Sequence, residues 1–220
     1  MDLLSADIAP IVWLSLRVSL AATLIAAVVG IPLGTWLGLA RFRGLGAVRV
    51  VVHTGMALPP VVVGLLVYLA LSRTGPLGLL GLLGWLYTPQ AMVAAQAILA
   101  LPLVVGITMN AVAAVPPALA LQLRGLGATA GQVRRAVVRE ARSGVLLAVA
   151  TALGRSLSEV GAVLMVGGNI AGHTRVLTTA VVLETGKGEF STALVLGAIL
   201  LALALAVNFA ILRLQPRAAV

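Results

Sequence analysis

The chain alternates between long apolar runs and short polar connectors, and the runs have the length of bilayer crossings. A helix needs roughly 20 consecutive apolar residues to cross the hydrocarbon layer, and five runs can be drawn at about that length. The first lies within residues 8–40. Wholly helical, it would be roughly 50 Å long, more than one crossing requires. Its first turns carry Ser15, Arg17 and Ser19 and are therefore expected at the membrane interface. The second run covers about 50–71 and contains Pro59-Pro60. The third covers about 90–114 with Pro102 inside it, the fourth about 144–166, and the fifth about 191–212. Proline within a span is tolerated where neighbouring helices or waters satisfy the freed carbonyls. Kinks are expected at Pro32, Pro59-Pro60 and Pro102.

The connectors differ in charge, and the difference predicts orientation. Arg41, Arg43 and Arg49 follow the first run. Arg124, Arg134, Arg135, Arg139 and Arg142 lie between the third and fourth against one acid, Glu140, and Arg213 and Arg217 follow the fifth. The other set holds Asp2 and Asp7, a single Arg73, and a balanced group of Arg175, Lys187, Glu184 and Glu189. Cytoplasmic loops carry the excess of arginine and lysine, so the N-terminus is expected outside and the C-terminus in the cytoplasm. The connector 72–88 contains a glycine-broken apolar stretch, 77–86, that reads as an interfacial or re-entrant piece ending at Trp85 and Tyr87. The connector 167–190 predicts a short amphipathic helix near 177–184.

Composition agrees with a lipid environment. Hydrophobic residues make up 61% of the 220 and charged residues only 10%, with a mean hydropathy of +1.14. A water-soluble domain cannot hide so large an apolar share. The net charge of +9 comes from 15 Lys+Arg against 6 Asp+Glu. Those basic residues sit in connectors rather than on one phosphate-binding face, so nucleic acid is not an expected partner. Without cysteine there is neither a disulfide framework nor a thiolate metal or redox site. His53 and His173 lack the spacing of paired ligands, and no metal site is expected. The start of the chain, with Asp2 and Asp7, does not read as a removable signal peptide.

The longest arginine-rich connector, 116–143, has a helical pattern. From Thr129 onward, Gln132, Arg135 and Arg139 recur three and four apart, while Val133 and Val137 form a separate apolar ridge. Gly125 and Gly127 break the chain ahead of it, which predicts a short helix, a turn and a second helix. Composition alone leaves two readings: a docking element, or a basic loop that only fixes orientation.

The run Leu126-Gly127-Ala128-Thr129, followed by Gln132, Arg134, Arg135 and Arg142-Ser143-Gly144, resembles the cytoplasmic coupling loop of ABC-importer permeases. The family's glycine falls at Gly127. Its opening glutamate, isoleucine and proline positions hold Leu121, Val137 and Glu140, so the copy is degenerate. Ser15-Leu16-Arg17-Val18-Ser19-Leu20 through Gly30-Ile31-Pro32-Leu33-Gly34 is similar to the first span of these permeases. Ser158-Glu159-Val160-Gly161-Ala162 and Val166-Gly167-Gly168-Asn169-Ile170 look like the branch that imports tungstate, molybdate and sulfate. With Thr174-Arg175-Val176-Leu177 and Leu183-Glu184-Thr185-Gly186-Lys187-Gly188, the match is nearest to tungstate permeases.

This resemblance implies an all-α integral membrane protein, one permease domain over 1–220 with about five transmembrane helices and a coupling loop over about 116–143. It implies a homodimeric pore in the inner or plasma membrane, two cytoplasmic ATPase subunits, and an extracytoplasmic anion-binding protein. Gly125, Leu126, Gly127, Ala128, Thr129, Gln132, Arg135 and Arg139 would carry coupling to the ATPase. The chain itself has no Gly-x-x-x-x-Gly-Lys-Ser/Thr loop, so ATP and Mg are expected on the partner, with no cofactor and no catalytic residue here.

Two charges within the fourth run need a reason, since a lone charge at the bilayer centre costs roughly 2.5–3.5 kcal/mol. Arg155 and Glu159 are four apart, so on a continuous helix they share a face and can pair. One reading is a neutralised structural pair. The other is that Arg155, with Ser156, Ser158 and Asn169, lines the path of a divalent oxyanion while Glu159 tempers the arginine. Thr108, Asn110 and Asn208 serve equally as pore or interhelical hydrogen-bonding groups. A stand-alone ion-coupled carrier would be expected to show inverted repeats or a buried acidic relay, and only Glu159 is of that kind. An intramembrane hydrolase would need a Ser/His pair that the chain does not suggest.

Overall fold

The fold follows from a computed structural model that describes residues 8–79 and 84–214. Among these the regular structure is entirely helical. In chain order the helices are α1 (Ile8–Leu39), α2 (Leu45–Met56), α3 (Pro60–Leu71), α4 (Pro76–Leu79), α5 (Pro89–Ala113) and α6 (Pro117–Gly125). They continue with α7 (Ala130–Glu140), α8 (Arg142–Leu157), α9 (Gly161–Gly167), α10 (Leu177–Gly186) and α11 (Phe190–Leu214). Four helical stretches are long and apolar enough to cross a membrane, or five if the bent pair α8–α9 is one span.

Three of the five expected runs appear as drawn. α1, α5 and α11 are continuous helices, with Pro32 and Pro102 inside the first two. α5 starts where its sequence allows: Thr88 is the N-cap and Pro89 occupies the first helical position, where no N–H is needed.

The second and fourth runs are not single helices. At Pro59-Pro60 the chain does not kink but stops, leaving α2 and α3 as separate 12-residue helices. Pro60 cannot donate to the preceding turn and instead opens α3. The fourth run divides into α8 and α9, which meet at 57°. Residue 177 does begin a helix, but α10 buries its first turn (Leu177, Thr178, Thr179 and Ala180) rather than one long stripe. Of the re-entrant stretch 77–86, residues 80–83 lie outside the described residues; α4 and the turn around Tyr87 flank them.

The bundle is organised around α1 and α5, which run parallel. Gly30 faces Val104, Gly34 faces Val105 and Thr108, and Gly38 faces Met109 and Val112. α3 runs beside α9, with Gly64 against Ala162 and Gly161 against Val61. One apolar core joins α1, α3, α5 and α9 through Val18, Val63, Met92 and Val163. At the opposite end, Val112, Val133, Val137 and Ala141 form a second cluster that fastens α7 to the end of α5. The outer faces are apolar as well: Leu24 and Val28 on α1, and Leu194, Leu201, Leu205 and Phe209 on α11, are exposed. Such a surface suits hydrocarbon and not water.

Candidate functional site

The helical hairpin α6–α7 is built by local chemistry. α6 ends at Gly125, Leu126 is its C-cap, and Gly127 takes φ +82° to reverse the chain. Only glycine adopts that left-handed conformation without a Cβ penalty. Thr129 then caps α7: its hydroxyl accepts the N–H of Gln132, and the Gln132 carbonyl oxygen accepts the N–H of Thr129 at 2.7 Å. Gln132 therefore spends its side chain on folding the hairpin. Val133 and Val137 turn inward onto Val112, and Ala128 packs against the same cluster. Arg124, Arg134, Arg135 and Arg139 stay exposed. Leu126 at the tip is 85% exposed, which a water-facing loop has no reason to present.

The second candidate lies at the α8–α9 break. Arg155 and Glu159 do not pair. Helix α8 ends at Leu157, so the four-residue spacing no longer places the two side chains on one helix face. Glu159, 6% exposed, instead turns its Oε1 to accept the N–H of Ala162 at 3.0 Å. That bond satisfies one of the orphan donors at the start of α9, and the positive end of the helix compensates the carboxylate. Its backbone carbonyl accepts the Thr178 hydroxyl at 2.9 Å, tying the break to α10. Arg155 is half-buried in the last turn of α8, and among the described residues no carboxylate lies within ion-pair distance of it.

Glu159 and Ser156 border a cavity of about 10 Å3 shared with Ser15, Ser19, Gln96 and Thr178. That volume holds about one water molecule, so a tetrahedral oxyanion does not fit. Gln96, 4% exposed, donates Nε2–H to the Ser156 carbonyl at 2.9 Å, while its Oε1 has no partner. Ser15 donates to the Ile11 carbonyl and accepts the N–H of Leu177 at 2.8 Å, fastening α1 to the start of α10. Ser15 and Ser19 therefore face the protein interior, and only Arg17 between them is exposed.

The remaining candidates lie elsewhere. Ser158 is exposed and donates to the carbonyls of Gly154 and Arg155. Asn169 follows α9 at φ +51°; its carbonyl accepts from Arg175 at 3.4 Å, and its Oδ1 is buried without a partner. The structure thus brings Ser156 and Glu159 together but places Asn169 beyond the far end of α9. Gln96 and Thr178 were missed by sequence reasoning. Gln96 is an amide set among apolar residues in the middle of the third run, and that is the available signal. Thr108 lies fully buried under Gly34, Asn208 bonds its own helix at the Ala204 carbonyl, and Asn110 is exposed.

This geometry predicts a double-mutant cycle. Glu159→Ala should lower stability by about 1–2 kcal/mol through the lost cap. Arg155→Ala should change it by less than about 0.5 kcal/mol, with negligible coupling between the two. Thermal melts of the detergent-solubilised chain read both, and a coupling above about 1 kcal/mol would restore the ion pair.

The family described as binding-protein-dependent transport system inner membrane component matches residues 30–220. The probable anion ABC transporter permease protein of Haloferax volcanii is 48% identical over 199 residues, covering 88% of this chain and 84% of that one. The tungstate uptake system permease protein TupB of Peptoclostridium acidaminophilum is 42% identical over 209 residues, covering 93% and 89%. Molybdenum transport system permeases match at 33%. The inward-facing MetNI methionine ABC transporter superposes with a TM-score of 0.77 over 98% of this chain and 97% of that one, at 20% identity, a likeness of fold.

Proposed function

We propose, since this chain belongs to the binding-protein-dependent transport system inner membrane components, that it is the subunit through which an ATP-driven importer passes tungstate. Membership makes it a multi-pass membrane transport subunit and not an enzyme, working with an ATPase and a substrate-binding protein. The anion rests on one observation: 42% identity to a tungstate permease over nearly the whole chain, against 29–36% to molybdenum permeases. A tetrahedral dianion of similar size, molybdate, is the second reading.

The finer assignments belong to the same proposal. Residues 1–220 are one permease domain, with 116–143 as its coupling element. Two copies form the pore, two ATPase subunits holding ATP and Mg grip the hairpins from the cytoplasm, and this chain holds no cofactor. The N-terminus is outside and the C-terminus inside, as the arginine-rich connectors favour. Gly125, Gly127, Thr129 and Gln132 shape the hairpin, while Leu126, Arg135 and Arg139 meet the ATPase. ATP-driven closure of the ATPase pair moves the hairpin, and α7 transmits the movement to α5 and α8.

Arg155 is the anion-attracting group of the path. Its half-buried guanidinium has no ion-pair partner among the described residues, and it lies at the break of the span with Ser156 and Ser158, whereas Asn169 stands beyond the far end of α9. Proteoliposomes holding the assembled importer test both parts. Tungstate should accumulate only with ATP and the binding protein, and Arg155→Gln should slow it about tenfold or more, the worth of one charge-assisted hydrogen bond. Accumulation of sulfate but not tungstate would overturn the anion, and unchanged flux in the variant would remove Arg155 from the path.

A further inference from the structure

At the arginine-bearing end of the bundle, the end of α1, the start of α2, the end of α5 and α6 border a recess of about 1160 Å3. Arg41, Arg43 and Arg49 line one side and Arg124 the other. All four are exposed, and among the described residues none lies within ion-pair distance of a carboxylate. Leu39, Leu45 and Val115 supply apolar wall between them. Beside this end of α1, Trp36 and Phe42 stack with ring centroids 5.9 Å apart, and both are exposed. Exposed aromatic rings at the end of an apolar span mark the depth of the lipid headgroups.

We propose that this recess binds the headgroup of an anionic phospholipid. Guanidinium groups bind phosphate through charge-assisted, often bidentate hydrogen bonds, and basic pockets between membrane helices suit anionic headgroups. A free, fully hydrated oxyanion gains nothing from the hydrocarbon part of the lining, whereas the glycerol and upper chain of a lipid cover it. Arg124 belongs to α6, so the bound lipid ties the coupling hairpin to the ends of α1 and α2. This makes the lipid composition of the arginine-facing leaflet a control on how firmly the hairpin is held. It holds whichever leaflet that is.

The test is a titration of the purified full chain in detergent with short-chain phosphatidylglycerol, with bound lipid counted by native mass spectrometry. Phosphatidylcholine of the same chain length and inorganic phosphate form the control arms. Phosphatidylglycerol should bind at least about tenfold tighter than phosphatidylcholine, and R43Q, R49Q and R124Q should each weaken it about fivefold. R213Q should leave binding unchanged, because Arg213 sits on α11 over Phe209, outside the recess. The substituted arginines are exposed, so folding is retained and circular dichroism verifies it. Equal binding of the two lipids, insensitivity to the three substitutions, or an equal loss with R213Q would overturn the site. Displacement of the lipid by millimolar phosphate alone would make it a free-anion site and overturn the lipid assignment.

Discussion

Leu126→Asp should cut ATP-driven uptake about thirtyfold or more while leaving the chain folded. The side chain is 85% exposed at the tip of the α6–α7 hairpin, so the substitution disturbs no contact within the chain. Docked on a partner, a leucine contributes about 1.5–3 kcal/mol by burial, and a carboxylate in its place adds a desolvation cost. The loss therefore appears in the grip of the ATPase and not in the melting temperature. Co-purification measures the first directly: wild-type recovery of the ATPase with the variant would show that the hairpin tip is not the contact. The neighbouring Gly127→Ala is a different experiment, since at φ +82° an added Cβ strains the turn itself.

Gly34→Leu should have the largest effect on stability, a loss of about 3 kcal/mol or more. Gly30, Gly34 and Gly38 repeat every four residues on the face of α1 that meets α5. A Cβ at Gly34 would stand 2.6 Å from the Val105 carbonyl oxygen and 2.8 Å from Thr108 Cβ. The oxygen belongs to backbone and cannot move aside without bending α5. In lipid, helices gain little from hiding apolar side chains from each other, so this close approach is what holds the pair. The variant should melt far below the parent in detergent. Gly46→Leu, where a Cβ meets nothing, should be close to neutral. Equal melting of all three proteins would mean that α1 and α5 are not packed through the glycine face.

The hairpin is legible in the sequence because its determinants are local. Gly127 and the Val133–Val137 ridge act within a turn or two of one another as their spacing implies, whereas Gln132, expected on the coupling face, spends its side chain on the cap with Thr129. The long runs were legible because lipid rewards uninterrupted hydrophobicity, a property of composition. The break in the second run is larger than the expected kink: Pro59-Pro60 reads as a kink or as a stop, and nothing local decides between them. The break in the fourth run has no proline at all, and it undid the expected Arg155–Glu159 pair.

What the sequence determined by itself was the solvent of this protein, its helical class, the number of apolar runs, and the folded shape of the loop that carries Leu126. The tertiary structure decided where the polar atoms find partners. Gln96 reaches the Ser156 carbonyl across 60 residues, and Ser15 receives the N–H of Leu177 across 162. A carboxylate such as Glu159 takes whichever donor the fold leaves unsatisfied nearby, and that is known only once the helices have stopped and crossed. Local spacing fixes which side chains share a turn; burial against distant segments fixes which of them must bond.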